Sequence, residues 1–301
     1  MRFSAWPGSA TRWEDLLRFC QHAEATGWDG LWIADHFMPN QEDTSGPVQE
    51  AWTLLAAIAA RVPRVRIGTL VTGVTYRHPA VLAKQAAQVD IISGGRLVLG
   101  IGSAWQENEH EAYGIPFHTV GGRLRRLEEA VQIITSLFEN ELTTFEGRHY
   151  RVTNAALAPK SVQRPGPPIL VGGGGEKVTM RIAAQYADEW NVWGLPDVMA
   201  QKGAVLDRHC ADLGRDPSEI KRSANAPLVL SDDPEVVERA LQPGRPMIAG
   251  NVQQVKEIIQ QYVDAGVDEL IIPDFNLDRD IEQRIPSYDR FINEEIGRAH
   301  V

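Results

Sequence analysis

The segment ILVGGGGEKVTMRIAAQYADEW, residues 169–190, shows the repeating unit of this chain most clearly. A short apolar strand at 168–172 runs into four consecutive glycines, a predicted helix follows at 176–186, and Trp190 belongs to the next apolar run, EWNVW. Parallel strands that are covered on both faces read as continuous apolar runs of this kind. The segment therefore predicts a strand, a crossover helix and a second, parallel strand.

The same alternation of apolar runs and helical patterns continues in both directions along the chain. The predicted strands lie at 2–6, 30–36, 65–72, 96–102, 168–172, 189–193, 223–230 and 268–273. About eight such units predict a (β/α)8 TIM barrel, as a single domain over residues 1–301, and an open doubly wound sheet is the alternative. The segment at about 140–168 breaks the alternation and predicts a small hairpin followed by a Pro-rich insertion. In either fold, a ligand binds at the carboxyl ends of the strands.

Composition and charge narrow the class of protein. The net charge is −10 and no run of Lys and Arg stands out, so nucleic acid is not an expected partner. The amino-terminal residues lack the apolar core of a signal peptide, and no apolar run reaches the length of a membrane span, so we expect no membrane partner and a cytoplasmic location. Two cysteines, Cys20 and Cys210, provide neither a disulfide framework nor a CxxC metal motif.

The four glycines at 172–175 lie between a predicted strand end and a predicted helix start. Exposed amides at this position, together with the helix dipole, form an anion site that phosphate commonly occupies. The alternative is that the glycines only allow the helix to pack closely against the strand. The run is not a Walker A loop, because Glu176 precedes Lys177 and Val178 follows it.

Other side chains at predicted strand ends are candidates for chemistry or for packing. Asp35 and His36 follow the second strand and are either a helix cap with a half-buried histidine or a pair that faces a ligand. A metal site is disfavoured because HxH and HExxH are absent. Aromatic side chains at strand ends form either an apolar pocket wall or ordinary packing, and the candidates are Trp6, Trp105 and Trp193.

Six ordered motifs resemble the bacterial luciferase-like superfamily, and within it the branch that uses the deazaflavin coenzyme F420. They are GWDGLWIADHF, IGTLVTGVTYRHPAVLAKQAAQVD, GRLVLGIGSAWQENEHEAYGIPF, TFEGRHYRV, PKSVQRPGPPILVGGGGEKVTMRIAAQYADEWN and VDAGVDELII. The motifs follow one another between residues 27 and 272, and the resemblance covers nearly the whole chain. The resemblance implies a (β/α)8 barrel with an insertion, in agreement with the strand pattern.

The resemblance also implies roles for individual residues. Asp35 and His36 would face the deazaflavin ring, with His36 as the catalytic acid or base. A non-proline cis peptide at Leu70–Val71, with Thr72 close by, would back the ring. The remaining implied cofactor contacts are Ser103, Asn108, Gly174, Gly175, Glu176, Val178 and Thr179, the last five of them nearest the phosphate.

Trp105 departs from the pattern of the sugar-phosphate dehydrogenase of this superfamily, which has a proton-transferring glutamate at this position. Indole cannot perform that step, so Trp105 argues against a sugar phosphate and for an apolar or aromatic wall around the substrate. Trp6 and Trp193 are expected in the same wall. The departure leaves the identity of any general acid open.

The resemblance implies an oxidoreductase that transfers hydride between coenzyme F420 and a small organic substrate. The alternatives are an FMN-dependent two-component monooxygenase, a non-catalytic cofactor-binding protein and, least favoured, a metal-dependent barrel hydrolase. A homodimer is expected, and an F420 or flavin reductase is a possible redox partner.

Overall fold

The computed structural model describes residues 1–241, 247–275, 277 and 280–293. Its strands are β1 (Arg2–Trp6), β2 (Gly30–Ile33), β3 (Arg66–Thr69), β4 (Thr72–Gly73), β5 (Leu97–Gly102), β6 (Thr143–Glu146), β7 (Arg151–Ala155), β8 (Ile169–Gly172), β9 (Glu189–Trp193), β10 (Lys221–Asn225), β11 (Leu228–Leu230), β12 (Ile248–Gly250) and β13 (Glu269–Pro273). Its helices are α1 (Trp13–Thr26), α2 (Ala51–Arg61), α3 (Pro79–Ser93), α4 (Glu107–Ala112), α5 (Val120–Glu139), α6 (Thr179–Tyr186), α7 (Pro196–Leu213), α8 (Pro234–Ala240), α9 (Val252–Asp264) and α10 (Ile281–Asn293).

The main sheet is parallel and closes on itself. Its order is β3-β2-β1-β13-β10-β9-β8-β5-β4, and β3 also pairs with β5. The closing pairs include Phe3 with Leu270 between β1 and β13, and Ile67 with Leu97 between β3 and β5. Because β3 and β4 are two segments of one barrel strand, the barrel has eight strands. The predicted TIM barrel is confirmed, and the open sheet is excluded by the β3–β5 pairing.

Helices α2 and α3 begin at residues with recognisable start signals, whereas α6 begins later than predicted. α3 begins at Pro79, whose missing amide proton is not needed in the first turn, and His78 accepts a hydrogen bond from the amide of Ala80 at 3.2 Å. Glu50 caps α2 by accepting from the amides of Trp52 and Thr53. α6 begins at Thr179, three residues after the predicted start at 176, because 176–178 form a turn.

The barrel interior has an apolar layer and a polar layer. The apolar layer contains Trp6, Trp32, Ala34, Leu70, Val98, Leu170 and Ile271, with Val71 packed against it. Toward the amino-terminal ends of the strands, the buried Glu269 accepts hydrogen bonds from Ser4 at 2.6 Å and from Trp32 at 2.9 Å. Arg66 bridges Glu269 and Glu189. Because this ion cluster lies at the end of the barrel opposite the ligand face, we interpret it as a stabilising plug.

The insertion contains the predicted hairpin. β6 and β7 pair antiparallel, with Phe145 opposite Val152. Glu129 on α5 holds the hairpin tip by accepting from the amides of residues 148–150 at 2.9–3.0 Å. The hydroxyl of Tyr150 donates to the carbonyl of Val74 at 3.2 Å, which brings the tip to the carboxyl end of β4.

One predicted strand differs from the structure. The run at 223–230 is predicted as a single strand, but β10 ends at Asn225 and β11 begins at Leu228. Pro227 has no amide proton with which to continue a sheet ladder. β11 leaves the barrel and pairs in parallel with β12, in a segment that reads as turns in the sequence.

Candidate active site

The carboxyl ends of the barrel strands bring most of the predicted site residues to one face. Trp6 ends β1, Asp35 and His36 follow β2, Thr72 begins β4, and Trp193 ends β9. Ser103 follows β5, and the glycine-rich loop follows β8. This is the ligand face of a (β/α)8 barrel.

His36 is held by a glutamate that the sequence analysis did not single out. Nδ1 of His36 lies 2.9 Å from Oε1 of Glu109 on α4. The side chain of Glu109 is fully buried, whereas that of His36 is 23% exposed. The other oxygen of Glu109 accepts from the amide of Phe37 at 2.8 Å, and the hydroxyl of Tyr76 also donates to Glu109. One carboxylate therefore fixes both the ring of His36 and the backbone beside it.

The charge of Glu109 sets the tautomer of His36. Burial raises the pKa of Glu109, but hydrogen bonds from His36, Phe37 and Tyr76 outweigh it and hold the pKa below the ordinary glutamate value. An ionised carboxylate can only accept, so Nδ1 of His36 carries the proton. Nε2 of a neutral His36 is then the acceptor, and it becomes a donor when the ring is protonated.

Asp35 forms the second buried charge cluster of the site. Its carboxylate accepts two hydrogen bonds from Arg77, with Nη1–Oδ2 at 2.5 Å and Nη2–Oδ1 at 3.2 Å, and Arg77 also binds Glu50. Burial raises the pKa of Asp35, while the charge of Arg77 acts in the opposite direction. We take Asp35 as ionised, because a bidentate guanidinium pairs with a carboxylate.

The hydroxyl of Thr72 anchors the bulge between β3 and β4 to the neighbouring helix. It accepts from Nε1 of Trp52 at 2.9 Å, and Thr72 is fully buried. The Leu70–Val71 peptide bond is cis, as the sequence analysis predicts. Close approach of glycines makes room for Val71: a Cβ on Gly102 would lie 2.8 Å from it, and a Cβ on Gly172 would lie 2.9 Å from it.

The conformation and close packing of the glycine-rich loop require glycine, and the loop also contains backbone amides without an acceptor. Gly173 has a φ of 127°, which side chains rarely adopt, and a Cβ on Gly174 would lie 3.0 Å from Val192. No acceptor among the described residues contacts the amides of Gly174, Gly175 or Glu176. The side chain of Glu176 turns away to Lys202 on α7, with 2.6 Å between Oε1 and Nζ. These contacts support the hypothesis that the glycines allow close packing. The free amides are also compatible with the hypothesis of an anion site.

Aromatic rings surround the mouth of the barrel. The centroids of Trp6 and Trp193 are 5.4 Å apart, and Phe275, after β13, stands edge-on to Trp6 at 4.9 Å. The buried Nε1 of Trp6 has no hydrogen-bond partner among the described residues. On the other side, Trp105 stands edge-on to His36 at 5.4 Å and is 61% exposed. Aromatic ring surface therefore lines part of the mouth, beside His36 and the Trp6 donor.

Asn108 has local partners. Its side chain accepts from the amide of Glu109 at 2.9 Å and donates weakly to the carbonyl of Pro39 at 3.4 Å. Ser103 is half-buried beside Ala104, which has a positive φ of 61°. Val178 and Thr179 begin α6.

The residues that sequence reasoning missed are Glu109, Tyr76, Arg77, Trp52 and Phe275. Glu109 stands in the acidic run ENEHEAY, where nothing distinguishes a buried carboxylate from its exposed neighbours. Tyr76 and Arg77 lie in YRHP, which the sequence analysis treats only as part of a longer motif.

Within the described ranges, no three His, Cys, Asp or Glu side chains converge in a way that could hold a metal ion. None of the helices described by the structure combines the length and the apolar character needed to cross a bilayer.

The protein is a closed parallel barrel with a strand bulge, a glycine-rich loop and a histidine at one rim. These features define it as a (β/α)8 barrel of the enzyme type. The chain belongs to the luciferase-like monooxygenase family, whose model matches residues 1–260.

Two curated relatives show where the sequence is shared. The chain is 35% identical over 175 residues to an F420-dependent glucose-6-phosphate dehydrogenase of Amycolatopsis mediterranei, covering 58% of this chain and 50% of the relative. It is 29% identical over 271 residues to an F420-dependent hydroxymycolic acid dehydrogenase of Mycobacterium tuberculosis, covering 89% of this chain and 73% of the relative. The chain thus spans half the length of the first relative.

A solved structure confirms the fold over almost the full chain. The structure of an F420-dependent secondary alcohol dehydrogenase in complex with an F420–acetone adduct superimposes with a TM-score of 0.84. The match covers 97% of this chain and 98% of that one at 20% identity. At that identity the likeness concerns the fold alone.

Proposed function

We propose that the protein is an oxidoreductase that transfers hydride between coenzyme F420 and an organic substrate. The relatives named for F420-dependent dehydrogenation support the cofactor. The observation of this chain that carries the proposal is His36 at the end of β2, with its ring fixed by the buried Glu109 at 2.9 Å on the ligand face of the barrel.

The described residues fit a cofactor with a flat ring and a phosphate. The free amides of Gly174, Gly175 and Glu176 at the start of α6 suit a phosphate. Leu70, Val71 and Thr72 would support the ring. The other residues that we assign to cofactor contacts are Asp35, Ser103, Asn108, Val178 and Thr179.

When bound, F420 supplies the hydride chemistry. His36 donates or accepts the accompanying proton at Nε2, because Nδ1 is hydrogen-bonded to Glu109. In the reducing direction the protonated ring donates a proton to the substrate, and in the oxidising direction the neutral ring accepts one. Glu109 orients the imidazole through this hydrogen bond.

The rim favours an apolar or aromatic substrate. Trp6, Trp105 and Trp193 present ring surface. Three cations near the strand ends have carboxylate partners: Arg77 pairs with Asp35, Arg284 with Asp274 at 2.7 Å, and Lys202 with Glu176 at 2.6 Å.

Parallel fluorescence titrations with F420 and FMN test the cofactor. We expect binding of F420 and much weaker binding of FMN. Preferential binding of FMN, with oxygenation in the presence of a flavin reductase, would instead support the two-component monooxygenase. If F420 binds, hydride transfer is measured with aromatic ketones, aldehydes and alcohols. F420 binding without turnover of any substrate in a broad panel would support a non-catalytic cofactor-binding protein, and bound zinc would support the hydrolase.

We also propose the domain organisation, the oligomeric state and the cellular location of the protein. The pairing of β1 with β13 supports one domain over 1–301, because the first described strand and the last lie side by side. Val81 and Ile92, exposed on α3, support a homodimer, which light scattering tests. The two free thiols, Cys20 and Cys210, fit a cytoplasmic location, and an F420 or flavin reductase would regenerate the cofactor.

A further inference from the structure

Two arginines on the first turns of α5 lack carboxylate partners. Arg123 is 8% exposed, and no Asp or Glu oxygen among the described residues lies within 4 Å of it or of Arg126. The Nε atoms of both arginines are buried without a hydrogen-bond partner. Buried charges are normally paired, so an unpaired buried guanidinium needs an explanation.

The surroundings of the two arginines orient them without neutralising them. Arg123 lies over the ring of Phe117 at 3.8 Å and donates to the carbonyl of His118 at 2.8 Å. Arg126 lies over Tyr150 on the hairpin tip at 5.6 Å. These contacts fix the planes of both guanidinium groups and leave N–H donors unused.

Two histidines complete the group. His118 is exposed at the start of α5 with a positive φ of 64°, and His149 on the hairpin tip has a buried Nε2 without a partner. The nearby carboxylate, Glu129, already accepts three amides of the hairpin. The group therefore carries excess positive charge and unused donors from two separate elements.

The pKa values of His118 and His149 reflect this positive potential. Burial lowers the pKa of both His118 and His149, and the charge of Arg126 is the next cause for each. Because His118 is exposed, we give Arg126 the greater weight there. The other charged or titratable groups that act on the two rings are Arg123, Arg125, Arg148, His110 and Glu129.

We propose that Arg123, Arg126, His118 and His149 form a binding site for a small oxyanion, a carboxylate or a phosphate group, on the rim of the barrel. The planar forks of the arginines match the geometry of such groups. The site lies close to the candidate active site, because His110 contacts both Phe117 at 4.7 Å and Tyr76 at 5.0 Å. None of its four residues belongs to the glycine-rich loop, and its occupant is either part of a ligand of the barrel or an independent metabolite.

Sulfate is the probe, because its charge does not change near neutral pH. Calorimetric titration should show a sulfate site in the wild-type protein, and Arg126→Gln should weaken it at least ~10-fold. Arg123→Gln should act in the same direction. Arg125→Gln is the matched control, since Arg125 is exposed on the same helix and the variant makes the same change in net charge. Circular dichroism and melting temperature verify that each variant is folded.

A second measurement addresses the site directly. Imidazole NMR signals of His118 and His149 should titrate at higher pH in the presence of sulfate, because a bound anion favours the protonated rings. Sulfate affinity should therefore rise as the pH falls through the imidazole range. Equal sulfate binding by wild type, Arg126→Gln and Arg125→Gln would overturn the proposal, and so would binding that depends only on the glycine-rich loop.

The source of the oxyanion is distinguished by competition. If sulfate weakens F420 binding in the wild type and not in Arg126→Gln, the site holds an anionic group of the cofactor. If sulfate and F420 bind independently, the site belongs to another ligand. The sulfate measurement needs neither F420 nor turnover, so its failure is separate from any failure of the proposed oxidoreductase activity.

Discussion

Glu109 accepts a hydrogen bond from Nδ1 of His36 at 2.9 Å, and it is fully buried while His36 is partly exposed. The two residues are 73 positions apart and lie on α4 and after β2, so the barrel brings them together. A buried ionised acceptor behind a half-exposed imidazole is the arrangement expected of a general acid or base whose outer nitrogen must stay available. The relationship gives the neutral ring of His36 a defined tautomer and leaves Nε2 as the nitrogen available to the substrate.

Replacement of His36 by alanine tests its catalytic role. We expect His36→Ala to lower turnover by about 10²–10⁴-fold, because general acid–base assistance is typically of this size. F420 affinity should remain within about threefold, since no cofactor-holding amide is altered. Fluorescence titration and steady-state rates on the same preparation provide both numbers. Unchanged turnover, or loss of F420 binding together with a lower melting temperature, would assign His36 a structural role.

Glu109→Gln tests the positioning of His36, because it removes the charge but keeps the shape. We expect kcat to fall at least ~10-fold, less than for His36→Ala, with little change in F420 affinity. Glu109→Asp retains the charge and should recover part of the rate. An equal effect of the Gln and Asp variants would show that geometry alone matters at this position.

The lowered pKa of Glu109 predicts a pH dependence of stability. Its folded-state pKa lies below the ordinary value of 4.5, so ionised Glu109 stabilises the folded state above that pH and loses this contribution as the pH falls through the folded-state pKa. The difference in unfolding free energy between wild type and Glu109→Gln should therefore shrink as the pH falls below 4.5. Urea unfolding at a series of pH values measures it. A constant difference across that range would contradict an ionised, stabilising Glu109.

Gly174→Asp tests the free amides of the glycine-rich loop. A carboxylate at this position would repel a phosphate, and its Cβ would lie 3.0 Å from Val192, so we expect F420 affinity to fall at least ~10-fold, about 1.4 kcal/mol. Gly214→Asp is the control for charge, because it adds the same charge after α7 where a Cβ meets nothing within 4 Å; since Gly214 has a φ of 67°, that variant is strained and its melting temperature is measured as well. Wild-type affinity in a folded Gly174→Asp protein would reject the phosphate assignment.

Local signals in the sequence predict most of the barrel. Apolar runs, Pro79 at a helix start and glycines after helices are short-range features, and they locate the eight barrel strands and the hairpin, although the run at 223–230 is two strands. The β11–β12 pair is missed because β11 reads as a continuation of β10 and the segment around β12 reads as turns. The partners of the site residues are missed for a different reason. Glu109 and Arg77 acquire their roles only through tertiary contacts, since nothing in ENEHEAY or YRHP marks a buried charge.

The bidentate pair between Asp35 and Arg77 predicts a large stability effect. The side chain of Asp35 is fully buried and that of Arg77 is 12% exposed, so Arg77→Met would leave the Asp35 carboxylate buried without its counter-ion. Removal of one partner from a buried pair costs about 3–5 kcal/mol. Arg151→Met is the control, because Arg151 and Glu146 form a pair whose side chains are 75% and 67% exposed, and an exposed pair contributes less than about 1 kcal/mol. Chemical denaturation of wild type, Arg77→Met and Arg151→Met measures both differences.

A double-mutant cycle consists of Arg77→Met, Asp35→Asn and the double variant. The double variant should be less destabilised than the sum of the single changes, because neutralising Asp35 removes the unpaired charge. Equal losses for Arg77→Met and Arg151→Met would show that the Asp35–Arg77 pair adds no more to stability than a surface contact.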